Sequence, residues 1–263
     1  QASIGIMLFV AIGRFLNKDG VFKNAIIAAA GLGIVGMLAS VFHLGRPFSA
    51  IKALSQFGSS WLSREIWFTA IFLGLTVLAA ILVYVKPKAT GAITGLASAA
   101  ALVGLADVYM MAAIYSNSSV PVWQTSATYV EFYATAITVG ALLFLVLSLK
   151  EAAKMRKALA LAVIAAAAVQ VAVVVPSLVN LGASSSGAVQ SSLAIMGGMK
   201  VATILKWLCI FVGAGAVLWI TKDESSKSVP STVLGGAALV LAGQVVGRYV
   251  FYAAMVVSGV GLT

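Results

Sequence analysis

The side chains with acid–base chemistry in this sequence are few, and most of them stand within or beside long apolar runs. The single histidine, His43, ends one such run and is followed by Gly45-Arg46-Pro47, residues typical of a helix end. Arg64 and Glu65 open the next run. An imidazole with an ordinary pKa near ~6.5 and a carboxylate can both accept a proton, and a guanidinium stabilises negative charge. We therefore predict that this group is functional, rather than an isolated structural histidine, and lies where a ligand can approach.

More charged residues lie within the apolar runs, most of them toward one end of the helices that those runs predict. They are Asp107, Glu131, Lys200, Lys206 and Arg248. A charge at the bilayer centre costs ~2.5–3.5 kcal/mol on insertion scales, so such residues normally pair or face a polar cavity. The pattern predicts one polar pocket, in which Arg46, Arg64, Asp107 and Arg248 support His43 and Glu65.

Each of these residues also has a structural interpretation. Glu131 and Lys200 lie where ordinary helix-end residues are found. Arg14 and Arg64 have stems long enough to snorkel to the interface. Asp107 with Arg248 or with Lys206 is the pattern of a structural ion pair between helices.

The composition excludes several classes of protein. Of 263 residues, 62% are apolar and 9% are charged, against roughly 25% charged in soluble domains. That excludes a soluble enzyme, a disordered regulator and a secreted disulfide scaffold. One cysteine, Cys209, and one histidine are too few for an internal disulfide, an iron–sulfur cluster, a cysteine-rich zinc site or bis-histidine haem. We expect no haem, cluster or metal in this chain.

The apolar runs predict an all-α polytopic membrane protein, a bundle of eight transmembrane helices forming one integral membrane domain over residues 1–263. About 20 residues are needed for each crossing. The runs are 1–16, 24–44, 61–84, 91–115, 128–149, 158–181, 197–221 and 231–260. The first run is short, so we expect its helix to lack N-terminal residues.

The basic residues predict the orientation of the chain. Lysines and arginines lie in the loops after the first, third, fifth and seventh runs, whereas the loops 116–127 and 182–196 have none. The positive-inside rule then places both termini on the outer, periplasmic side of the inner (cytoplasmic) membrane. The net charge of +10 is thus a feature of topology, and we expect lipid around the chain and no nucleic-acid partner.

Small residues and one proline mark further features of the helices. Gly31-Leu32-Gly33-Ile34-Val35-Gly36 has the letters of a dinucleotide fingerprint, but it lies in a membrane helix without a preceding strand. We interpret it, like Gly91 and Gly95, as small-residue helix packing. Pro176 lies inside the sixth run, where we expect it to kink the helix and open a cavity.

Four sequence elements resemble a known family, the DmsC-type membrane anchor of bacterial dimethyl sulfoxide reductase, distantly similar to the NrfD and polysulfide-reductase anchors. They are Phe42-His43-Leu44-Gly45-Arg46-Pro47, then Ser60-Trp61-Leu62-Ser63-Arg64-Glu65-Ile66, Tyr115 with Val120-Pro121-x-Trp123, and Gly243-x-x-x-Gly247-Arg248-x-x-Phe251-Tyr252. The elements occur in the family's order, and the resemblance covers essentially the whole chain.

The resemblance implies a subunit of an oxidoreductase complex that oxidises menaquinol near the outer face and holds no metal. His43 matches the family's quinol-site histidine and Glu65 its acidic residue at the start of helix 3. It also implies two partners, a four-cluster iron–sulfur subunit and a molybdopterin catalytic subunit. The terminal acceptor, dimethyl sulfoxide or a related S- or N-oxide or oxyanion, would belong to the catalytic subunit.

Two other classes stay open at the level of sequence. A secondary transporter or channel would also place polar residues in membrane helices, although repeat symmetry and a midplane site are typical of transporters. We see no internal repeat between the two halves of the sequence, and the polar residues lie toward one face. A purely structural anchor, which docks a partner without binding quinone, is the third possibility.

Overall fold

The computed structural model describes residues 1–17, 20–42, 55–220 and 229–259, and within these ranges the chain is helical without strands. The helices, named here in chain order, are α1 Ala2–Leu16, α2 Lys23–Phe42, α3 Trp61–Val85, α4 Thr90–Ser116, α5 Ser126–Leu147, α6 Arg156–Gly182, α7 Gly187–Gly198, α8 Lys200–Ile220 and α9 Val229–Ala253. Two short 3₁₀ turns, Pro121–Trp123 and Ala153–Met155, precede α5 and α6. The all-α prediction is confirmed.

The number of membrane crossings agrees only in part with the sequence. Within the described ranges seven helices are long and apolar enough to cross a membrane, and α1, with 15 residues, is shorter. The other predicted runs each contain one long helix. The segment 182–196, predicted as a loop, contains most of α7, a helix of 12 residues. The stretch has no proline, and Val189, Leu193 and Met196 recur at helical spacing on its less exposed face.

Together with α1, the seven long helices of the described residues form two rings of four, one from each half of the chain. In the first ring α1 packs on α2, α2 on α3, α3 on α4, and α4 on α1. In the second ring α5 packs on α6, α6 on α8, α8 on α9, and α9 on α5. The helix arrangement therefore repeats, although the sequence shows no repeat, because many different apolar sequences satisfy the same helix packing.

Polar contacts between neighbouring helices agree with an antiparallel arrangement. Thr69 of α3 meets Asp107 of α4, and Gln170 of α6 meets Glu131 of α5, as expected for antiparallel neighbours. The segments 55–60, 117–125 and 183–199 lie together at one end of the bundle, which we call the site end. Residues 17, 20–22, 86–89 and 148–155 lie at the other end.

Glycines bring the two rings together at α1 and α5. A Cβ built on Gly5 would lie 2.8 Å from the Cα of Gly140, so the two backbones touch. By contrast, a Cβ on Gly31, Gly36 or Gly95 would meet nothing within 4 Å. The packing interpretation therefore holds for Gly33, whose Cβ would lie 2.9 Å from Leu73 Cδ1, and not for these three. A closer backbone contact is between Gly5 and Gly140, in different helices.

We expect Gly140→Ala to destabilise the protein by about 1–3 kcal/mol, because the added methyl group would overlap the backbone of Gly5. The thermal midpoint of the detergent-solubilised protein measures this. Gly95→Ala is the matched control, since its methyl group would enter open space. An unchanged midpoint for Gly140→Ala would contradict the close packing of α1 on α5.

Buried polar contacts hold the opposite end together. Arg14 is 4% exposed, and it donates to the carbonyls of Gly20 and Thr90 and to Thr94 Oγ1 at 3.0 Å. Snorkelling was the wrong interpretation of Arg14, because its guanidinium is used inside the protein to bind the start of α4. Glu151 Oε1 accepts the backbone N–H of Phe22 at 2.8 Å, which ties the α1–α2 connection to the second ring.

Candidate functional site

A cavity of about 450 Å³ lies inside the first ring at the site end. Its walls come from the start of α1, the last turns of α2, the first turns of α3 and the last third of α4. Leu32, Met37 and Leu62 line it and are each about two-fifths exposed. The cavity therefore opens sideways between α2 and α3, on the face that the membrane would cover, and an apolar molecule could enter from the lipid.

Two acidic side chains predicted from the sequence, Glu65 and Asp107, line this one cavity. Asp107 is fully buried, and its Oδ2 accepts a hydrogen bond from Thr69 Oγ1 at 2.9 Å. Its other oxygen, Oδ1, has no hydrogen-bond partner among the described residues. A buried carboxylate oxygen without a partner is costly, so a donor that reaches Oδ1 through a small movement of the cavity wall would stabilise it.

The local sequence explains why Glu65 and Thr69 face the same cavity. They are four residues apart on α3 and therefore lie on one face of the helix. Ser60 caps the start of α3, its side chain accepting the N–H of Ser63, as is usual for a serine at this position. That cap fixes the first turn of α3, and with it the position of Glu65.

The remaining predicted site residues are placed as follows. His43 and Arg46 lie outside the described residues, so their roles stay predictions. Arg64 does not line the cavity; it donates to the carbonyls of Phe57 at 2.9 Å and Gly58 at 2.7 Å, and its guanidinium stacks on Trp61. These contacts hold the segment before α3 against the helix.

Arg248 of α9 reaches the first ring. Its Nη2 donates to Gln1 Oε1 at 2.9 Å, and Gln1 lines the cavity. Its guanidinium also lies 3.7 Å from the ring centroid of Phe132, a cation–π contact. Arg248 thus contacts the edge of the cavity from the second ring, and it is not paired with Asp107.

An aromatic cluster beside Arg248 unites the last two family-like elements of the sequence. Trp123 stacks on Phe251 with centroids 4.9 Å apart, and its Nε1 donates to the Phe251 carbonyl at 3.0 Å. Tyr115 lies 5.3 Å from Trp123 and shares a hydrogen bond of 3.0 Å with Tyr252. These residues come from α4, the 121–123 turn and α9, so the cluster joins the two rings at the site end.

Glu131 and Lys206 form an ion pair of 2.7 Å inside the second ring, with side chains 15% and 8% exposed. Glu131 is therefore not an ordinary helix-end residue, because it faces the ring interior. Lys206 is paired with Glu131 and not with Asp107, since α8 packs on α6 and α9 and lies apart from α4. Lys200 is exposed at the start of α8, as its helix-end interpretation predicts.

Uncharged polar residues extend this ion pair, and sequence reasoning missed them. Gln170 Nε2 donates to Glu131 Oε2 at 2.8 Å. Gln244 accepts from Thr135 at 3.0 Å and donates to Thr138 at 3.1 Å. The available signal was an amide in the middle of an apolar run, which lipid does not tolerate unless it is paired inside the bundle. A weaker signal was available for Thr69, because it lies four residues after Glu65 and therefore on the same face of α3.

A metal site is not apparent in the described part of the chain, where no group of three histidine, cysteine or acidic residues comes together. The described lining of the cavity offers carboxylates, hydroxyls and apolar walls. Such a site can hold an apolar ring and exchange protons with its polar groups.

Fold and cavity together define a multi-pass helical membrane protein with a buried acidic site at one end. Comparison with known proteins gives the family. Residues 1–254 match the family described as DMSO reductase anchor subunit (DmsC). The chain belongs to this family, so it is placed among anchor subunits of oxidoreductase complexes and not among transporters.

Individual relatives agree with this assignment. The chain is 30% identical over 262 residues to anaerobic dimethyl sulfoxide reductase chain YnfH of Escherichia coli (strain K12), a match that spans 96% of this chain and 90% of that protein. It is 28% identical to another anaerobic dimethyl sulfoxide reductase chain of the same organism, over 83% and 76% of the two proteins. A shorter match, 40% identical over 67 residues, is to a sulfite dehydrogenase subunit of Allochromatium vinosum, and it spans 25% of this chain and 21% of that protein. No solved structure matches the chain significantly.

Proposed function

We propose that this chain is the membrane anchor and quinol-oxidising subunit of a respiratory molybdopterin reductase in the inner (cytoplasmic) membrane. The observation that supports this most is the cavity of about 450 Å³, which opens between α2 and α3 and is lined by both Glu65 and Asp107. A menaquinol ring needs an apolar crevice reached from the lipid, and its hydroxyls need groups that accept protons. The cavity has both properties.

The proposed roles follow from the chemistry of each group. Quinol oxidation releases two electrons and two protons. His43 accepts the first proton, on the grounds of its sequence and family match, and Glu65 accepts the second or passes it to the outer water. Asp107, with one oxygen held by Thr69 and the other unpartnered, accepts a hydrogen bond from the bound ring. Arg46, Arg64 and Arg248 support the site, the last through Gln1.

The electrons leave to another protein. One histidine and one cysteine in the whole sequence cannot hold a haem pair or a cluster, and the relatives are chains of multisubunit reductases by name. We infer an iron–sulfur partner docked near the cavity at the site end, which passes electrons to a molybdopterin catalytic subunit. Dimethyl sulfoxide or a related S- or N-oxide or oxyanion is the terminal acceptor.

Blocking the cavity tests this proposal. Gly36 lines it, and a Cβ there would meet nothing within 4 Å, so Gly36→Trp can place a ring in the cavity without a backbone clash. We expect at least about a tenfold loss in kcat/KM for quinol, equivalent to about 1.4 kcal/mol. Activity driven by a reductant that feeds the partner subunits directly should stay unchanged.

The matched control is Val35→Trp, which places the same ring on the neighbouring residue, whose side chain is 64% exposed. This variant should keep quinol-dependent activity. Full quinol-dependent activity in Gly36→Trp, with the complex assembled, would instead support a structural anchor that does not bind quinone in this cavity.

A further inference from the structure

The second ring contains a second cavity, of about 180 Å³, also at the site end. It lies between α5, α6, α8 and α9, with the 121–125 segment beside it. Each of these helices holds the place in its ring that α1, α2, α3 and α4 hold in the first. The two cavities therefore occupy equivalent positions in the two rings.

The polar end of this cavity is the ion pair of Glu131 and Lys206, both of which line it. Gln170 donates to the second oxygen of Glu131 at 2.8 Å. The ammonium of Lys206 also lies 4.5 Å from the ring centroid of Trp207. Carboxylate and ammonium neutralise each other, so the polar end presents hydrogen-bonding groups without a net charge. Burying such a pair in a membrane is expensive, and intramembrane ionisable residues usually serve a function.

Two glycines of α9 make room for Lys206. A Cβ on Gly247 would lie 2.9 Å from Lys206 Cε, and a Cβ on Gly243 would lie 2.7 Å from the Lys206 carbonyl oxygen. The glycines of the Gly243-x-x-x-Gly247 element thus allow α8 to approach α9 closely and the lysine side chain to extend along it toward Glu131. The position of the ammonium group depends on this local sequence.

Size and lining limit what the cavity can hold. A cavity of about 150 Å³ binds benzene, so 180 Å³ is large enough for a small flat head group such as that of a naphthoquinone. Its walls include Trp123, Trp207 and Phe251, which can pack against a flat ring. Val175 also lines it and is 48% exposed, so an apolar tail could leave past α6, beside Pro176, toward the lipid.

We propose that this cavity is a second quinone site, in which a ring carbonyl or hydroxyl contacts the Glu131–Lys206 pair and the isoprenoid tail leaves past α6. The neutral polar end favours an uncharged head group over an anionic lipid. This inference rests on the proposed function, since it takes quinone as the ligand class that the chain binds. It adds a second molecule, in the other ring, to the one oxidised beside Glu65.

Photolabelling in membranes that contain the assembled complex tests the inference. The probe is an azido-naphthoquinone, and the labelled peptides are mapped by mass spectrometry with excess unlabelled quinone as competitor. We expect competed labels in two places, on α2 or α3 and on α6 or α8. Leu178→Trp fills the second cavity and should remove the second label only. Val179→Trp, on the next residue and 68% exposed, should keep both labels.

The labelling pattern of the unsubstituted complex tests the second quinone site and the proposed quinol oxidation beside Glu65 separately. Competed labelling confined to α2 or α3 would overturn the second site and leave the proposed function standing. Competed labelling confined to α6 or α8 would support the second site and contradict the placement of quinol oxidation beside Glu65. An absence of competed labels at both places would overturn both.

Discussion

Glu65→Gln is expected to lower quinol-dependent reductase activity by about 10²–10⁴-fold, because it replaces the cavity carboxylate that we propose accepts a proton by an amide of the same size. The complex should still assemble, and a reductant that bypasses the membrane subunit should still drive the catalytic subunit. His43→Ala should have an effect of the same kind. Steady-state rates in membranes with menaquinol analogues, together with co-purification of the partner subunits, measure both properties.

Glu151→Gln is the matched control for Glu65→Gln. Glu151 lies at the opposite end, where its Oε1 accepts the Phe22 N–H, and a glutamine oxygen can accept the same bond. Quinol-dependent activity should therefore be kept in this variant. If Glu65→Gln turned over quinol at the unsubstituted rate, the assignment of Glu65 as a proton acceptor would be wrong, whatever the outcome for Glu151.

Lys206→Met should lower the free energy of unfolding by about 3–5 kcal/mol, more than Gly140→Ala does. The reason is that it leaves the buried carboxylate of Glu131 without its counter-ion. The Gln170 hydrogen bond to Glu131 does not replace the lost charge. The denaturation midpoint of the detergent-solubilised protein is the measurement. Lys200→Met is the matched control, since Lys200 is exposed on the same helix and should tolerate the change.

The double variant Lys206→Met with Glu131→Gln isolates the cause. Removing both charges leaves no unpaired ion, so the double variant should be more stable than Lys206→Met alone. A double variant as unstable as the single one would assign the loss to other contacts of the ammonium group, such as its position 4.5 Å from the Trp207 ring centroid, rather than to the unpaired charge.

The sequence was sufficient to predict the long helices, although not the short α7, because each long apolar run satisfies its own backbone hydrogen bonds in lipid only as a helix. It did not predict the two rings. Which helices are neighbours depends on surface shapes such as the contact of Gly5 with Gly140, and no pattern within one run contains that information. The glycines of α2 and α4 had the more regular spacing, yet a Cβ built on Gly31, Gly36 or Gly95 would have no neighbour within 4 Å.

The candidate site was predicted only in part, again because the sequence does not give which helices are neighbours. Glu65 and Asp107 could be grouped because helix position gives the depth of a side chain in the membrane, and the two line one cavity. The partner of Lys206 could not be predicted, since Glu131 and Asp107 lie at similar depth and only the ring arrangement separates them. Depth along a helix is encoded locally, whereas position around the bundle depends on the fold.

The two rings have a consequence for the origin of the chain. Each ring has four helices, so the polypeptide enters and leaves each ring on the same side. Duplication of an ancestral four-helix unit would therefore append a second copy in the same orientation, without inverting its topology in the membrane. Two copies in one orientation are free to diverge. In this chain the first ring has carboxylates in its cavity, and the second ring has a neutralised ion pair in the equivalent place.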